Sequence, residues 1–138
     1  MMYFAYGTNL DFERLKKRCP SVQKIAKAFL VDYQFIFNTR GVATVVPKKD
    51  SKVYGILFEI EDSEIKNLDK YEGVPKLYAK QDKKVLLENG KTTDALLYIA
   101  IESKPGKSRE RHLKIILESM IKEGFPSKYL ESIKKYGL

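Results

Sequence analysis

The sequence predicts an α+β fold, on three observations. Apolar and aromatic residues alternate with period two through the front of the chain, as in half-buried strands. Short polar turns separate those runs, so consecutive strands are expected in one antiparallel or mixed sheet, with a small closed barrel as one form of it. Patterns of period 3.6 dominate only the end of the chain.

Tyr3 to Tyr6 reads as the first strand and stops at Gly7. A short helix follows from about Asp11 to Arg18 and must end before Pro20, because the residue before proline disfavours the helical region. Thr8 or Asn9 is its expected cap. Ala26 to Phe37 reads as a long strand, with Phe29, Val31, Tyr33, Phe35 and Phe37 on one face. Asn38 to Gly41 is a turn, Val42 to Val46 a short strand stopped by Pro47, and Lys48 to Ser51 a second turn. Val53 to Ile60 is the next strand, in which Gly55 marks a bulge or a close backbone approach. Glu61 to Tyr71 is expected as a helix capped by Asp62 or Ser63 and closed by a left-handed Gly73. Leu77 to Leu87 and Thr92 to Ile101 pair as a hairpin across Asn89-Gly90. Ser108 then caps a helix running to Glu123, with Leu113, Ile116, Leu117, Met120 and Ile121 as its buried stripe. Gly124 and Pro126 end it, and a last helix runs from Ser127 to about Tyr136.

The chain of 138 residues is expected to be one domain, spanning 1–138, with a single core. It holds no apolar run of about 18 residues, so no membrane span is expected. Its N-terminus lacks a basic stretch followed by an apolar core, so a cytoplasmic location is the expectation. Cys19 is the only cysteine, which excludes an internal disulfide, and it reads as a partly buried thiol. The net charge of +8 raises nucleic acid as a partner, but the lysines are scattered among glutamates, as on a solvated surface.

Motifs for phosphate, dinucleotide or metal binding are absent, and a single histidine disfavours a three-ligand zinc site. An enzyme built on this chain is therefore expected to work without a metal or cofactor. Two stretches remain. The turn after Tyr6 has outward N–H groups that attract a carboxylate or carbonyl oxygen. In Asp69-Lys70-Tyr71-Glu72-Gly73-Val74, Glu72 stands at a helix C-terminus, where the helix dipole disfavours its charge and burial would raise its pKa further. Tyr6, Tyr78 and Tyr98 are phenols that would need partners if buried. His112 reads as a packed or half-exposed helix residue beside the apolar face.

Tyr3-Phe4-Ala5-Tyr6-Gly7-Thr8-Asn9-Leu10 resembles the Tyr-Gly-Ser-Asn-Leu signature of the γ-glutamylcyclotransferase-like superfamily, which includes the AIG2-like proteins. Asp69 to Val74, with Tyr78 after it, is similar to the second signature, Leu-Asp-x-x-Glu-Gly followed by Tyr. Gly124-Phe125-Pro126-Ser127-Lys128-Tyr129 resembles the Gly-Leu-Pro-x-x-Tyr stretch of the same enzymes. The resemblance implies a small mixed β-barrel with flanking helices and a cofactor-free, metal-free enzyme. The implied reaction cyclises a γ-glutamyl group to 5-oxoproline and releases an amino acid or amine. Glu72 is the implied general acid and base, and Tyr6, Gly7, Thr8, Asn9, Leu10, Tyr78, Tyr98 and His112 are the implied substrate contacts. Thr8 departs from the family serine, and His112 stands where the animal enzymes carry a tyrosine. The implied partner is a small γ-glutamyl substrate, with a homodimer left open, no membrane and nucleic acid disfavoured. The alternatives are a γ-glutamylamine cyclotransferase acting on γ-glutamyl-ε-lysine or a γ-glutamylated metabolite, and a non-catalytic small-ligand or nucleic-acid binder.

Overall fold

The structure, a computed structural model, describes residues 1–137. Five strands of these residues close into a barrel in the order β1-β3-β2-β4-β5. They are β1 (Met2–Ala5), β2 (Gln23–Phe37), β3 (Ala43–Glu59), β4 (Tyr78–Leu87) and β5 (Thr92–Ala100). Each adjacent pair is antiparallel except β1 and β5, which meet in parallel at Tyr3 and Leu96 and complete the ring. The mixed barrel that the family resemblance implies is thus the observed architecture.

Helices α1 (Phe12–Arg18), α2 (Ile65–Glu72), α3 (Glu110–Lys122) and α4 (Ser127–Lys134) flank it. Phe4, Phe37, Phe58, Leu97, Ile116 and Met120 are fully buried, so barrel and helices share one core. No helix among the described residues is long and apolar enough to cross a membrane.

Five expectations about caps and burial need correction. Neither Asp62 nor Ser63 caps α2, because both are wound into a 3-10 turn, Asp62–Glu64, ahead of it. Thr8 and Asn9 do not cap α1; Asp11 does, accepting bonds from the amides of Glu13 and Arg14, because residues Thr8–Leu10 are already wound into a 3-10 turn. Ser108 does not cap α3, which starts at Glu110; its hydroxyl donates instead to the Tyr136 carbonyl at 3.4 Å. Ile121 is not in the buried stripe of α3 but is 62% exposed, while Ser119 is buried in its stead. Cys19 is wholly rather than partly buried, and burial pushes its thiol up to about 11 despite the neighbouring Arg18.

The largest departure concerns β2 and β3. Pro47 does not stop the strand but pairs with Tyr33 within β3. The ladder then jumps from Tyr33–Pro47 to Val31–Lys52, so Lys48–Ser51 bulge out of register, with Asp50 donating its amide to the Asp32 carboxylate at 3.0 Å. A bulge reverses the inward face, since side chains alternate with period two. Ala28 and Leu30 accordingly point in before Asp32, Phe35 and Phe37 after it, and Val31 is left 48% exposed. The continuous face from Phe29 to Phe37 does not exist.

Gly55 resolves as a close approach. A Cβ there would stand 2.4 Å from the Ala5 carbonyl oxygen and 2.5 Å from the Phe4 ring, both in the neighbouring strand. Gly55→Ala should therefore destabilise the protein by about 3 kcal/mol, the upper range for overpacking. Urea unfolding should show a lower midpoint at unchanged slope, and an unchanged midpoint would refute the steric reading.

Candidate active site

A cavity of about 240 Å³ opens at the end of the barrel where β1 gives way to the turn at Gly7. Gly7 adopts φ −120°, ψ −134°, and a Cβ on it would press against Ala43 at 3.3 Å. The turn thus lies flat against β3 and exposes its amides. Among the described residues, the N–H groups of Gly7, Thr8 and Asn9 have no protein acceptor, whereas that of Leu10 is taken by the Gly7 carbonyl at 3.0 Å.

Across the cavity stands the end of α2. Gly73, at φ +69°, closes that helix, and the amides of Gly73 and Val74 return to the carbonyls of Lys70 and Asp69. This stop leaves Glu72 as the last helical residue, half-buried in the cavity wall. Burial pushes its carboxyl up to about 7, against the opposing pull of Arg18. Among the described residues, no salt bridge or hydrogen bond is made by the Glu72 carboxylate.

Its neighbours are held in place by a linked network. Asn9, almost fully buried, donates to the Tyr3 hydroxyl at 3.0 Å and accepts from Arg18 at 3.5 Å. The Arg18 guanidinium lies 3.5 Å above the Tyr71 ring, and the Tyr71 and Thr8 hydroxyls are 3.0 Å apart. Tyr98 donates to Asp69 at 2.7 Å, and Asp69 also pairs with Lys80 at 2.8 Å. Tyr6 donates to the Tyr98 carbonyl and Tyr78 to the Ala43 carbonyl. Burial raises the pKa values of Tyr3, Tyr6, Tyr78 and Tyr98 well above their ordinary value.

The cavity brings together Tyr6, Gly7, Thr8, Asn9, Glu72, Tyr78, Tyr98 and His112 from the sequence-derived set. Leu10 is the exception. Its side chain is only 2% exposed and packs into the core, so it supports the turn without reaching the cavity. His112 is half-buried on the rim; burial and the nearby Arg109, Arg14 and Arg111 lower its pKa and favour the neutral ring.

Sequence reasoning missed Tyr3, Arg40, Tyr71 and Arg109, which also line the cavity, and Arg18 behind Tyr71. Arg109 had a faint signal, standing three residues before His112 at the mouth of the same helix. Arg40 had none, since it belongs to a turn whose partner lies 69 residues away. No group of three or more His, Cys, Asp or Glu residues able to hold a metal ion occurs among the described residues.

The family model described as "Gamma-glutamyl cyclotransferase, AIG2-like" matches residues 3–119. The chain is 28% identical over 144 aligned positions to the gamma-glutamylcyclotransferase of Homo sapiens, covering 96% of this chain and 77% of the relative. The Mus musculus gamma-glutamylcyclotransferase matches with the same identity and coverage. A solved structure named gamma-glutamyl cyclotransferase superposes with a TM-score of 0.84 at 28% identity, over 97% of this chain and 86% of that one.

The raised pKa of Glu72 links to stability. The folded chain retains a proton that the unfolded chain releases between pH 4.5 and about 7, so the stabilisation is complete below pH 4.5 and lost as pH rises to 7. Glu72→Gln, which carries no charge to bury, should be more stable than the parent at pH 8 by on the order of 2 kcal/mol. Thermal melts at pH 4 and pH 8 test this, and the gain should vanish at the lower pH.

Proposed function

The chain belongs to the gamma-glutamyl cyclotransferase, AIG2-like family, and from that premise we propose that it converts a γ-glutamyl amino acid or amine to 5-oxoproline, with Glu72 carrying the protons. One observation supports the reading above the rest. A carboxyl with a pKa of about 7 and no protein partner among the described residues shares a small cavity with the turn at Gly7.

The chemistry suits those groups. A γ-glutamyl substrate brings its own nucleophile, the α-amine, which closes a five-membered ring on the γ-carbonyl carbon. That amine is mostly an ammonium ion at neutral pH. The Glu72 carboxylate takes a proton from it, and the freed lone pair attacks. A C–N bond forms, and the carbonyl oxygen takes up negative charge. Glu72 then returns the proton to the departing nitrogen as the original C–N bond breaks. The attacking nitrogen sheds two protons in all, and the departing nitrogen gains two, so one carboxyl can relay them in turn. A group whose pKa lies near the working pH is suited to giving as well as taking.

The unclaimed amides of Gly7, Thr8 and Asn9 are suited to the substrate carboxylate or to the developing oxyanion. Holding the glutamyl arm folded adds an orientation term. The Tyr3, Asn9, Arg18 and Tyr71 network keeps the turn and α2 in register, so that nucleophile and acid share one frame.

Glu72→Gln should fold, melting no earlier than the parent, and lose about 10²–10⁴-fold in kcat/KM for γ-glutamyl-alanine, read as 5-oxoproline by mass spectrometry. Retained activity would remove Glu72 from the mechanism. In the parent, kcat/KM should climb with pH and level off above about 7, where Glu72 is ionised. A profile flat from pH 5 to 8 would contradict its role as base.

A further inference from the structure

We propose that Arg40 and Arg109 form a carboxylate-reading pair at the cavity mouth, which selects substrates whose departing group is an amino acid over those that release a neutral-tailed amine. The inference rests on the cyclotransferase reading and adds to it a specificity site.

The two arginines come from distant parts of the chain and are locked together. Arg109 donates its Nε–H to the Arg40 carbonyl at 2.9 Å and its backbone amide to the Gly41 carbonyl at 3.0 Å. Gly41 has φ +78°, and a Cβ on it would strike Arg109 Cγ at 2.7 Å, so only a glycine lets the turn and the start of α3 meet this closely. Buried Asn38 sets that turn, accepting the Arg40 amide at 3.0 Å and donating to the Glu102 carbonyl at 2.9 Å. The Arg109 guanidinium is therefore tied to the backbone of the turn that carries Arg40.

Neither guanidinium forms an ion pair among the described residues. Glu102, the acid nearest that turn, accepts instead from the amides of Thr39 and Lys104. Using Nε on the Arg40 carbonyl still leaves Arg109 its two terminal nitrogens, which suit a carboxylate. Both arginines line the same cavity as Glu72, which supplies its acidic group. The cavity thus has one acid and two unpaired cations.

A γ-glutamyl amino acid has charges to match. Its α-ammonium must approach Glu72 for proton transfer. Beyond the scissile bond, the departing amino acid carries a second carboxylate two bonds from its nitrogen. A γ-glutamylamine lacks that carboxylate but keeps the glutamyl α-carboxylate, so the two substrates separate the two anions.

The test compares kcat/KM for γ-glutamyl-alanine and γ-glutamyl-ethylamine in the parent, Arg40→Ala, Arg109→Ala and the double alanine variant. The parent should favour the alanine substrate by about tenfold or more, and the double variant should abolish most of that ratio. Arg40→Lys with Arg109→Lys should recover part of it through charge alone. If the double variant melts early, Arg40→Ala carries the test, because that side chain is exposed and its backbone contacts remain. Equal losses on both substrates would show that the pair reads the shared α-carboxylate, and would overturn the proposal. An unchanged ratio with normal turnover would overturn it too while leaving the cyclotransferase reading intact. No 5-oxoproline from any γ-glutamyl compound would overturn both.

Discussion

Strand β1 is four residues long, and the site depends on its being held along both edges. It pairs antiparallel with β3 through Met2 to Ala5 and bridges β5 in parallel at Tyr3. A parallel neighbour cannot be reached by a tight turn, and here the rest of the barrel lies between β1 and β5 in the chain. Closure brings the end of β1 beside residues more than ninety positions later. The Tyr6 hydroxyl reaches the Tyr98 carbonyl, and the Tyr3 ring packs edge-on to Tyr98 at 6.0 Å. Gly55 makes room for this by letting β3 pass directly under Phe4. The turn that leaves β1 is thereby aimed across the barrel end at α2.

Helix α2 then treats two carboxylates, three residues apart, in opposite ways. Asp69 is bonded by the Tyr98 hydroxyl and the Lys80 ammonium. Glu72, at the helix end, has neither, and burial dominates its acidity. Arg18 is the cation that opposes burial, but its bonding is divided. It stacks on Tyr71 and donates to the Arg14 carbonyl and Asn9. A bidentate Arg–Glu pair would hold the carboxyl ionised far below neutrality. Sharing Arg18 among three other groups lets Glu72 titrate near 7.

Local chemistry was legible in the sequence, and nonlocal geometry was not. The strand that stops at Gly7, the hairpin at Asn89-Gly90 and the left-handed Gly73 follow from residue type within a few positions. The bulge opposite Asp32 does not, because it is a mismatch of register between two strands, and neither strand alone encodes it. Pro47 reads as a breaker, yet it is tolerated beside that bulge on an exposed stretch, where one missing N–H costs little. Leu10 belongs to a signature and was assigned to the site with it, though an apolar side chain after a 3-10 turn has the core as its natural place. Glu72 and the turn at Gly7, which line one cavity, are legible because both belong to short motifs. Arg18, Arg40 and Arg109 are not, since a scattered arginine shows no sign of which distant carbonyl or ring will hold it.

The phenols in the cavity limit where a proton can move. Tyr6, Tyr78 and Tyr98 each direct their hydroxyl hydrogen at a protein acceptor, respectively a strand carbonyl, another strand carbonyl and the Asp69 carboxylate. Burial raises all three above their ordinary range, so none ionises near neutrality. His112 is shifted the other way, toward the neutral ring. Among these groups Glu72 alone has its pKa pushed to about 7. The aromatic frame therefore fixes the shape of the cavity, and its chemistry narrows to a single carboxyl. That arrangement suits a reaction whose nucleophile and leaving group both come from the substrate, since protons are then the main thing the protein has to carry.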